Sequence, residues 1–283
     1  MKTPDLLTHF ITPMHLIETI EKPAPKNVLI RKAEPRNCPA FKVSAVIITY
    51  NEEKMIERTL AQLHWCDEII VVDSYSTDRT AEICSSKGCN VLFRHFDGYG
   101  SQKQFAVSQA KNDWVLCIDA DEVLTDELVQ EIASLTEADK QYSGFAFRMN
   151  LVFLGKEFLH GKESGRYFLR LFNRQKGGIT ADKVHEGIHI EGPVKKLNHI
   201  VKHYSYTSIY QYLEKFNRYT RYAAEMGKRK GKHKSTFIIL LAVPFNFTKY
   251  YLLERNCLNG LKGFYWSVFS TFYHFVKYAK INE

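Results

Sequence analysis

The sequence lacks several features that define common functional classes. Its six cysteines show no CxxC spacing, so neither a zinc ribbon nor a redox pair is indicated, and reduced thiols are the simplest interpretation. No zinc-finger or RNP pattern accompanies the net charge of +8, and we therefore expect no nucleic-acid partner. Residues 1–20 contain no unbroken apolar core, which argues against a signal peptide.

The length and composition favour one catalytic domain with additions. The chain has 283 residues, of which 45% are hydrophobic, and this is ample for a core. Six of its eight prolines fall within residues 4–39, so residues 1–40 are predicted to form a proline-rich arm. We expect a catalytic domain over residues 41–205 and a helical, basic and aromatic region over residues 206–283.

The region from residue 43 to residue 119 alternates apolar runs with helical patterns. The runs 43–49, 68–72, 90–95 and 114–118 are predicted strands, and helical periodicity separates them. Strands that are apolar on both faces and alternate with helices are typical of a parallel, doubly wound sheet. The fold class predicted here is therefore α/β.

Polar residues follow three of these predicted strands. Thr49, Asp73 and the pair Asp119 and Asp121 lie at carboxyl ends, where ligands bind in such sheets. Two carboxylates one residue apart suit a hard divalent cation, which can in turn hold a diphosphate. Acidic residues can also simply terminate a strand in solvent, so the pair alone does not decide the function.

The segments AVIITYNEE (45–53), EIIVVDSYSTDRT (68–80) and GYGSQKQFAVSQAKNDWVLCIDADE (98–122) together resemble family 2 glycosyltransferases with the GT-A fold. The later Val-His-Glu (184–186) is similar to the lipopolysaccharide core β-glucosyltransferase branch. The resemblance covers roughly residues 43–190 and, more loosely, YLLERNCLNGLKGFYWS near the C-terminus. It implies a GT-A doubly wound, mostly parallel nucleotide-sugar-binding sheet with a helical C-terminal extension.

The resemblance also implies roles on the donor side. Asp119 and Asp121 would hold Mg²⁺ or Mn²⁺ against the donor diphosphate. Asp73 would accept from the nucleotide base, although it could instead cap its own loop through an Asx-turn. Lys103 would lie near the nucleotide or be a solvated lysine, and Thr49 would contact the base or ribose.

The segment GRYFLRLFNR (165–174) alternates with a period of two. This period predicts one common face for five residues: Arg166, Phe168, Arg170, Phe172 and Arg174. An anion nearby would explain why several cations share an aromatic face. Arg166 and Arg170 are therefore predicted to bind the donor. The alternative is that the arginines snorkel at a sheet edge.

The acceptor side is expected to use Val184-His185-Glu186. By resemblance, Glu186 is the base that takes the proton from the acceptor hydroxyl in an inverting transfer. His185 would bind the metal or orient Glu186. A second set of histidines has no motif and is expected to be structural: His189, His199 and His203.

These features favour a metal-dependent inverting glycosyltransferase. It would move a hexose from a nucleotide-sugar, which the resemblance implies is UDP-linked, to a glycan or glycolipid, with the lipopolysaccharide core as the best single acceptor. A nucleotidyltransferase that makes an NDP-sugar is one alternative, but residues 49–53 contain no glycine or lysine to cradle a triphosphate. A non-catalytic sugar-binding or membrane-binding scaffold is the other.

The last predicted feature concerns membranes. Residues 236–253 are apolar but are interrupted by Pro244, Asn246 and Lys249, so the unbroken run is shorter than the roughly 20 residues that span a bilayer. The basic run 228–234 precedes them, and aromatic residues mixed with lysines follow. This pattern predicts peripheral attachment to an anionic membrane surface, on the cytoplasmic face of the inner membrane. The alternative is that these helices pack on the catalytic domain.

Overall fold

The computed structural model describes residues 38–180 and 187–283, and its first half has the predicted alternation of strands and helices. The four strands pair in parallel in the order β3-β2-β1-β4, so all four carboxyl ends meet at one edge. The α/β prediction is confirmed. The elements of this half are β1 (Val43–Thr49), α1 (Ile56–Leu60), β2 (Glu68–Asp73), α2 (Thr80–Ser86), β3 (Asn90–Phe93), α3 (Tyr99–Ser108) and β4 (Trp114–Asp119).

The second half adds strands of mixed direction to β4. The sheet continues in the order β4-β8-β6-β11-β5, and of these neighbours only β6 and β11 are parallel. The parallel character predicted for the sheet therefore belongs to its first four strands. The elements are β5 (Glu122–Leu124), α4 (Asp126–Ala133), a 3₁₀ turn (Glu137–Gln141), β6 (Gly144–Phe153), β7 (Lys156–Glu157), β8 (Ser164–Asn173), β9 (Gly177–Ile179), β10 (Ile188–Ile190) and β11 (Val194–Tyr206).

Apolar side chains of β1 enter a core on each face of the sheet. Ile47 packs in the cluster that includes Ile56 of α1 and Leu128 of α4, whereas Val46 packs in the cluster that includes Ala106 of α3. Successive side chains of a strand point to opposite faces, so a continuous apolar run is buried on both sides. Helices on both faces give the doubly wound arrangement.

The predicted common face of β8 is wrong. Phe168 packs against the core that contains Ile47, whereas Phe172 lies in the core on the other face of the sheet. The register with β6 explains the change, because Phe145 pairs with Leu171 while Ala146 pairs with Leu169, which leaves Arg170 as an extra residue. A β-bulge of this kind switches the faces of the following side chains and re-aims the bulged residue.

Three helices follow the sheet and cover one end of it. They are α5 (Ile209–Arg229), α6 (Thr236–Thr248), which continues as a π-helical turn (Lys249–Leu253), and α7 (Gly260–Asn282), which follows a 3₁₀ turn (Asn256–Asn259). Phe153 and Phe158 pack against Trp266 of α7, with ring centroids 5.3 and 6.0 Å apart. Residues 36–283 form one compact unit. The three-part division of the chain stays a prediction.

The helix that begins at Thr236 passes through Pro244 without ending. Over residues 236–253 it is long and apolar enough to cross a membrane, by length and composition alone, and it is the one such helix in the described ranges. Only 6% of this stretch is buried in the protein. Pro244, Asn246 and Lys249 interrupt the apolar run, as predicted, but they do not end the helix.

Candidate active site

A cavity of about 620 Å³ lies at the carboxyl ends of β1 and β4. One wall is formed by the residues that follow these strands, including Thr49, Glu52 and Asp121. The opposite wall is formed by the end of β11 and the first half of α5. A concave site of this size at the strand ends of a parallel sheet is the usual position for a nucleotide or other small ligand.

Asp119 ends β4 between two cations. Lys103 Nζ of α3 lies 2.8 Å from its Oδ1, and Arg170 Nη2 of β8 lies 3.4 Å from its Oδ2. Burial alone would raise the pKa of Asp119, but the charges of Lys103 and Arg170 outweigh it and hold that pKa well below its ordinary value. Asp119 is therefore a carboxylate in the resting protein, and it fixes the cations that were predicted to face the donor.

Glu122 was not predicted as a site residue, yet it holds this cluster together. Its side chain is fully buried, and it accepts from Arg170 Nη2 through Oε1 and from the backbone N–H of Asp119 through Oε2 at 3.2 Å. Burial raises the pKa of Glu122, and Arg170 offsets part of that rise. The bulge in β8 places Arg170 here. In the sequence, Glu122 is the last residue of Asp-Ala-Asp-Glu (119–122), and no separate role was predicted for it.

Asp121 faces the cavity beside a histidine. His203 Nε2 of β11 lies 3.4 Å from Asp121 Oδ1, and both residues line the cavity. Burial lowers the pKa of His203, but the hydrogen bond and the charge of Asp121 outweigh it and raise the net value. His203 was expected to be structural. It lies in the site because β11 pairs with β5, with His203 opposite Glu122.

The arrangement fits a divalent cation for which the protein supplies only some of the ligands. Within the described ranges, no three His, Cys, Asp or Glu side chains form a group that could hold a metal ion. Asp121 and His203 can supply one oxygen and one nitrogen ligand, and a cation bound by so few protein groups takes its other ligands from phosphate and water. Asp119 is less available, because both of its oxygens contact cations. Its predicted role as a metal ligand stays a prediction.

The other two predicted strand-end residues differ in their exposure to the cavity. Thr49 lines it, and the buried Thr49 Oγ1 has no hydrogen-bond partner among the described residues. Asp73 is fully buried, and its two oxygens accept from the backbone N–H and the hydroxyl of Ser76 at 2.7 and 2.6 Å. This geometry favours the capping alternative for Asp73. Its contact with the base stays a prediction.

Arg166 lies away from the described part of the cavity wall. Arg166 is about half exposed, stacks over Phe168 at 5.1 Å and lies 3.7 Å from Glu163. It is not among the residues that line the cavity. His185 and Glu186 lie outside the described residues, so their predicted roles as catalytic groups stay predictions.

The residues on either side of positions 181–186 are held beside α3. Thr180 N–H donates to the Gly187 carbonyl at 2.9 Å, and Gln104 of α3 donates to the Ile179 carbonyl at 2.7 Å. Helix α3 also carries Lys103, whose ammonium reaches Asp119. The described residues that flank positions 181–186 thus lie near the helix that positions the donor-side cations.

Helix α5 supplies the wall opposite the strand ends. Gln211, Lys215 and Arg218 share one face of the helix and line the cavity. Tyr212 and Phe216, on the other face, are buried against α7, with Tyr212 stacked on Phe269 at 4.7 Å. The sequence had assigned this helix to a membrane-associating region, and no motif marked its cavity-facing residues.

Comparison with known proteins assigns this geometry to a family. Residues 44–182 match the family described as glycosyl transferase family 2. An uncharacterized glycosyltransferase of Rickettsia typhi is 34% identical over 86% of this chain and 87% of its own length. The chain belongs to glycosyltransferase family 2. The predicted family and the GT-A fold are thereby confirmed, and so is the prediction that this protein is an enzyme.

Two further proteins are similar to this glycosyltransferase. The lipopolysaccharide core biosynthesis glycosyltransferase LpsC of Rhizobium meliloti is 31% identical over 87% of this chain and 93% of its own length. Among solved structures, TarS (residues 1–349) of Staphylococcus aureus in complex with UDP-GlcNAc is 27% identical over 40% of this chain and 34% of that chain, with a TM-score of 0.30. Family membership decides between a transferase and the two alternatives, a nucleotidyltransferase and a non-catalytic scaffold, in favour of the transferase.

Proposed function

We propose that this glycosyltransferase moves one hexose from a UDP-linked donor to a saccharide of the lipopolysaccharide core, with inversion and with the help of Mg²⁺ or Mn²⁺. The observation that carries the metal-dependent part is the pair of Asp121 and His203, which face the cavity beside the cationic cluster at Asp119. The acceptor class rests on the similarity to LpsC over nearly the whole chain.

The chain's own residues would divide the donor between two subsites. The nucleotide would lie over the ends of β1 and β2, where Thr49 lines the cavity. The diphosphate would lie at the end of β4, near Lys103 and Asp121. A cation bound by Asp121 and His203 would neutralise the charge that develops on the leaving diphosphate.

The acceptor would enter from the side of α5. Lys215 and Arg218 give this wall positive charge, and Gln211 adds amide groups that can hydrogen-bond sugar hydroxyls. Lys215 Nζ donates to the Ser205 carbonyl at 3.2 Å, which fixes it toward the cavity. Glu186 would take the proton of the attacking hydroxyl, and a positioned base of this kind contributes roughly 10²–10⁴-fold to the rate.

The donor sugar and the cation can be tested with purified full-length protein. UDP release would be measured with UDP-glucose, UDP-galactose and UDP-GlcNAc, in Mn²⁺, in Mg²⁺ and after chelation, with and without a core-truncated lipopolysaccharide. We expect release that needs a cation and rises with acceptor. Undiminished release after exhaustive chelation would contradict the metal role. If acceptor left release unchanged with every donor, the acceptor class would be wrong.

We also propose that the enzyme works at the cytoplasmic face of the inner membrane, as a peripheral protein. Two observations support this location. The chain is similar to a lipopolysaccharide core biosynthesis glycosyltransferase, and an apolar helix of the C-terminal region is exposed. Fractionation of cells should recover the protein with the inner membrane, and recovery in the soluble fraction alone would contradict the proposal.

A further inference from the structure

The net charge of this protein lies entirely in its C-terminal region. Residues 228–283 contain ten Lys or Arg and two acidic residues, a net of +8, while residues 1–227 contain 29 of each and are formally neutral. The basic residues stand in a cluster before α6 and at intervals after it. A region that concentrates all the excess charge of a protein is suited to a polyanionic partner. The ten are Lys228, Arg229, Lys230, Lys232, Lys234, Lys249, Arg255, Lys262, Lys277 and Lys280.

Helix α6 is apolar all round and yet lies on the surface. Its inner face packs through Ile239, which is 7% exposed. Its outer face carries further large apolar side chains that are more than half exposed. A helix that is apolar on every side normally lies in a protein core or in lipid, and the residues that the structure describes do not bury this one. The outward side chains are 70% exposed at Phe237, 56% at Leu241 and 66% at Phe245.

The exposed apolar surface continues beyond α6 to the start of α7. Leu253, Leu258 and Leu261 are 72%, 60% and 63% exposed. We call the six residues Phe237, Leu241, Phe245, Leu253, Leu258 and Leu261 the apolar ridge. Single exposed apolar residues are ordinary. A series of six, from α6 through the two turns that follow it to the start of α7, is typical of a surface that binds a partner.

We propose that the apolar ridge is the surface by which this enzyme docks on an anionic lipid bilayer, with α6 lying in the plane of the headgroup and acyl boundary. The proposal deepens the proposed function and rests on it for the lipid-linked acceptor. Basic residues flank the ridge, with Lys230, Lys232 and Lys234 before it and Lys262 directly after it in the sequence. A bilayer with anionic headgroups complements both the apolar and the charged parts of this surface. A second copy of the chain would bring an equal positive charge against it.

Helix α6 is held along the protein and does not stand free of it. At its start, Lys234 lies over the Tyr278 ring at 4.4 Å, and at its end Phe247 contacts Phe264, with ring centroids 5.8 Å apart. Helix α7 is in turn fixed to the sheet through Trp266, which contacts Phe153. A crossing orientation would carry α7, which packs along α6, into the bilayer together with its Lys277 and Lys280. The in-plane orientation leaves these cations at the headgroups.

The same helices connect the ridge with the cavity. Helix α5 lines the cavity with one face and packs on α7 with the other, where Phe216 stacks on Phe272 at 5.8 Å. Helix α7 then packs on α6. Docking through the ridge would therefore hold α5 and its cavity-facing Lys215 and Arg218 close to the membrane. A saccharide attached to lipid could then be modified without leaving the bilayer.

The test compares the full-length protein with two matched pairs of variants in a flotation assay. The vesicles contain phosphatidylethanolamine with phosphatidylglycerol, or phosphatidylcholine alone, and neither donor nor acceptor is present. Leu241→Ser with Phe245→Ser changes the ridge, and Val194→Ser, at a residue 40% exposed on β11, is its control. Lys230→Glu with Lys232→Glu changes the charge, and Lys42→Glu, just before β1, is its control.

We expect the wild type and both controls to float with anionic vesicles. The ridge variant should bind about tenfold more weakly or worse at every salt concentration, because it loses apolar area that enters the acyl boundary. The charge variant should bind more weakly at low salt and resemble the wild type at high salt, since screening removes its contribution. Circular dichroism and UDP binding should be the same for all variants.

Three outcomes would overturn the proposal. The wild type could fail to bind anionic vesicles, or the ridge variant could bind them as well as the wild type does. The wild type could also sediment as a dimer without lipid while the ridge variant sediments as a monomer, because the ridge would then contact a second copy. Transfer to a deacylated, soluble acceptor separates this proposal from the transfer reaction. If that transfer is absent while anionic vesicles are still bound, the transfer reaction is wrong and the docking surface stands.

Discussion

The buried pair of Arg170 and Glu122 gives the strongest prediction for stability. Glu122 is fully buried, and its partners are the guanidinium of Arg170 and the backbone N–H of Asp119. Arg170→Met keeps much of the apolar stem but leaves the carboxylate of Glu122 without its cation. Removing one partner of a buried ion pair costs about 3–5 kcal/mol. That is a large share of the roughly 5–15 kcal/mol by which a protein of this kind is stable.

Urea unfolding followed by tryptophan fluorescence measures this cost. Arg170→Met should lower the free energy of unfolding by about 3–5 kcal/mol, and Arg170→Met with Glu122→Gln should lower it by less than the sum of the two single changes, because the double variant leaves no buried charge unpaired. Arg166→Met is the control, since Arg166 is about half exposed, and it should change stability by no more than about 0.5 kcal/mol. A loss of less than about 1 kcal/mol for Arg170→Met would refute the buried pair.

Three further predictions concern the cavity. Asp121→Asn should abolish transfer and leave the circular dichroism spectrum unchanged, whereas the exposed Asp126→Asn should change neither the transfer nor the spectrum; near-normal turnover of Asp121→Asn would remove that residue from the site. Glu186→Gln should lower kcat by roughly 10²–10⁴-fold while UDP binding by calorimetry persists, and joint loss of both would place Glu186 on the donor. Burial and the nearby charge of Asp121 raise the pKa of Glu52 from 4.5 to about 7, so the wild type should lose stability as pH rises from 4.5 to 7 in chelator. Glu52→Gln should remove that loss, worth up to about 3 kcal/mol above pH 7 and nothing below pH 4.5, and parallel pH profiles would contradict the burial of a proton there.

The first half of the fold was predictable because its signals are local. Each of β1, β2 and β4 is a continuous apolar run, and burial on both faces follows directly from parallel pairing. The position of Thr49 opposite Asp73, and of Ile48 opposite Asp119, then follows from the register of neighbouring strands. The pattern of apolar residues along the chain decides both the local structure and the packing here, so the two agree.

The site residues that were missed depend on contacts between distant parts of the chain. His203 reaches Asp121 only because β11 returns beside β5, and no sequence motif marks that pairing. Arg170 reaches Glu122 because a bulge opposite Phe145 interrupts the alternation that the sequence displays. Bulges arise from the pairing of two strands, so a period counted along one strand does not show them.

The C-terminal helices were predicted in type but only partly in role. The stripe of α5 that faces the cavity and the stripe that packs on α7 both contain aromatic residues, so composition alone does not separate them. Pro244 interrupts the apolar run, yet the helix continues through it. A proline has no backbone N–H, so the helix lacks the hydrogen bond that this position would donate. The exposure of α6 depends on which helices lie beside it, and this is a property of the assembled fold.

The central claim is inverting transfer of a hexose from a UDP-linked donor at this cavity. Proton NMR of UDP-glucose, incubated with the full-length protein, Mn²⁺ and a core-truncated lipopolysaccharide, follows the donor and product anomeric signals in one sample. We expect the α-anomeric signal of the donor to decline while a β-anomeric signal of the product grows, and Asp121→Asn to show neither change. A product with the α configuration would contradict inversion, and an unchanged spectrum with UDP-glucose, UDP-galactose and UDP-GlcNAc in turn would contradict the proposed reaction.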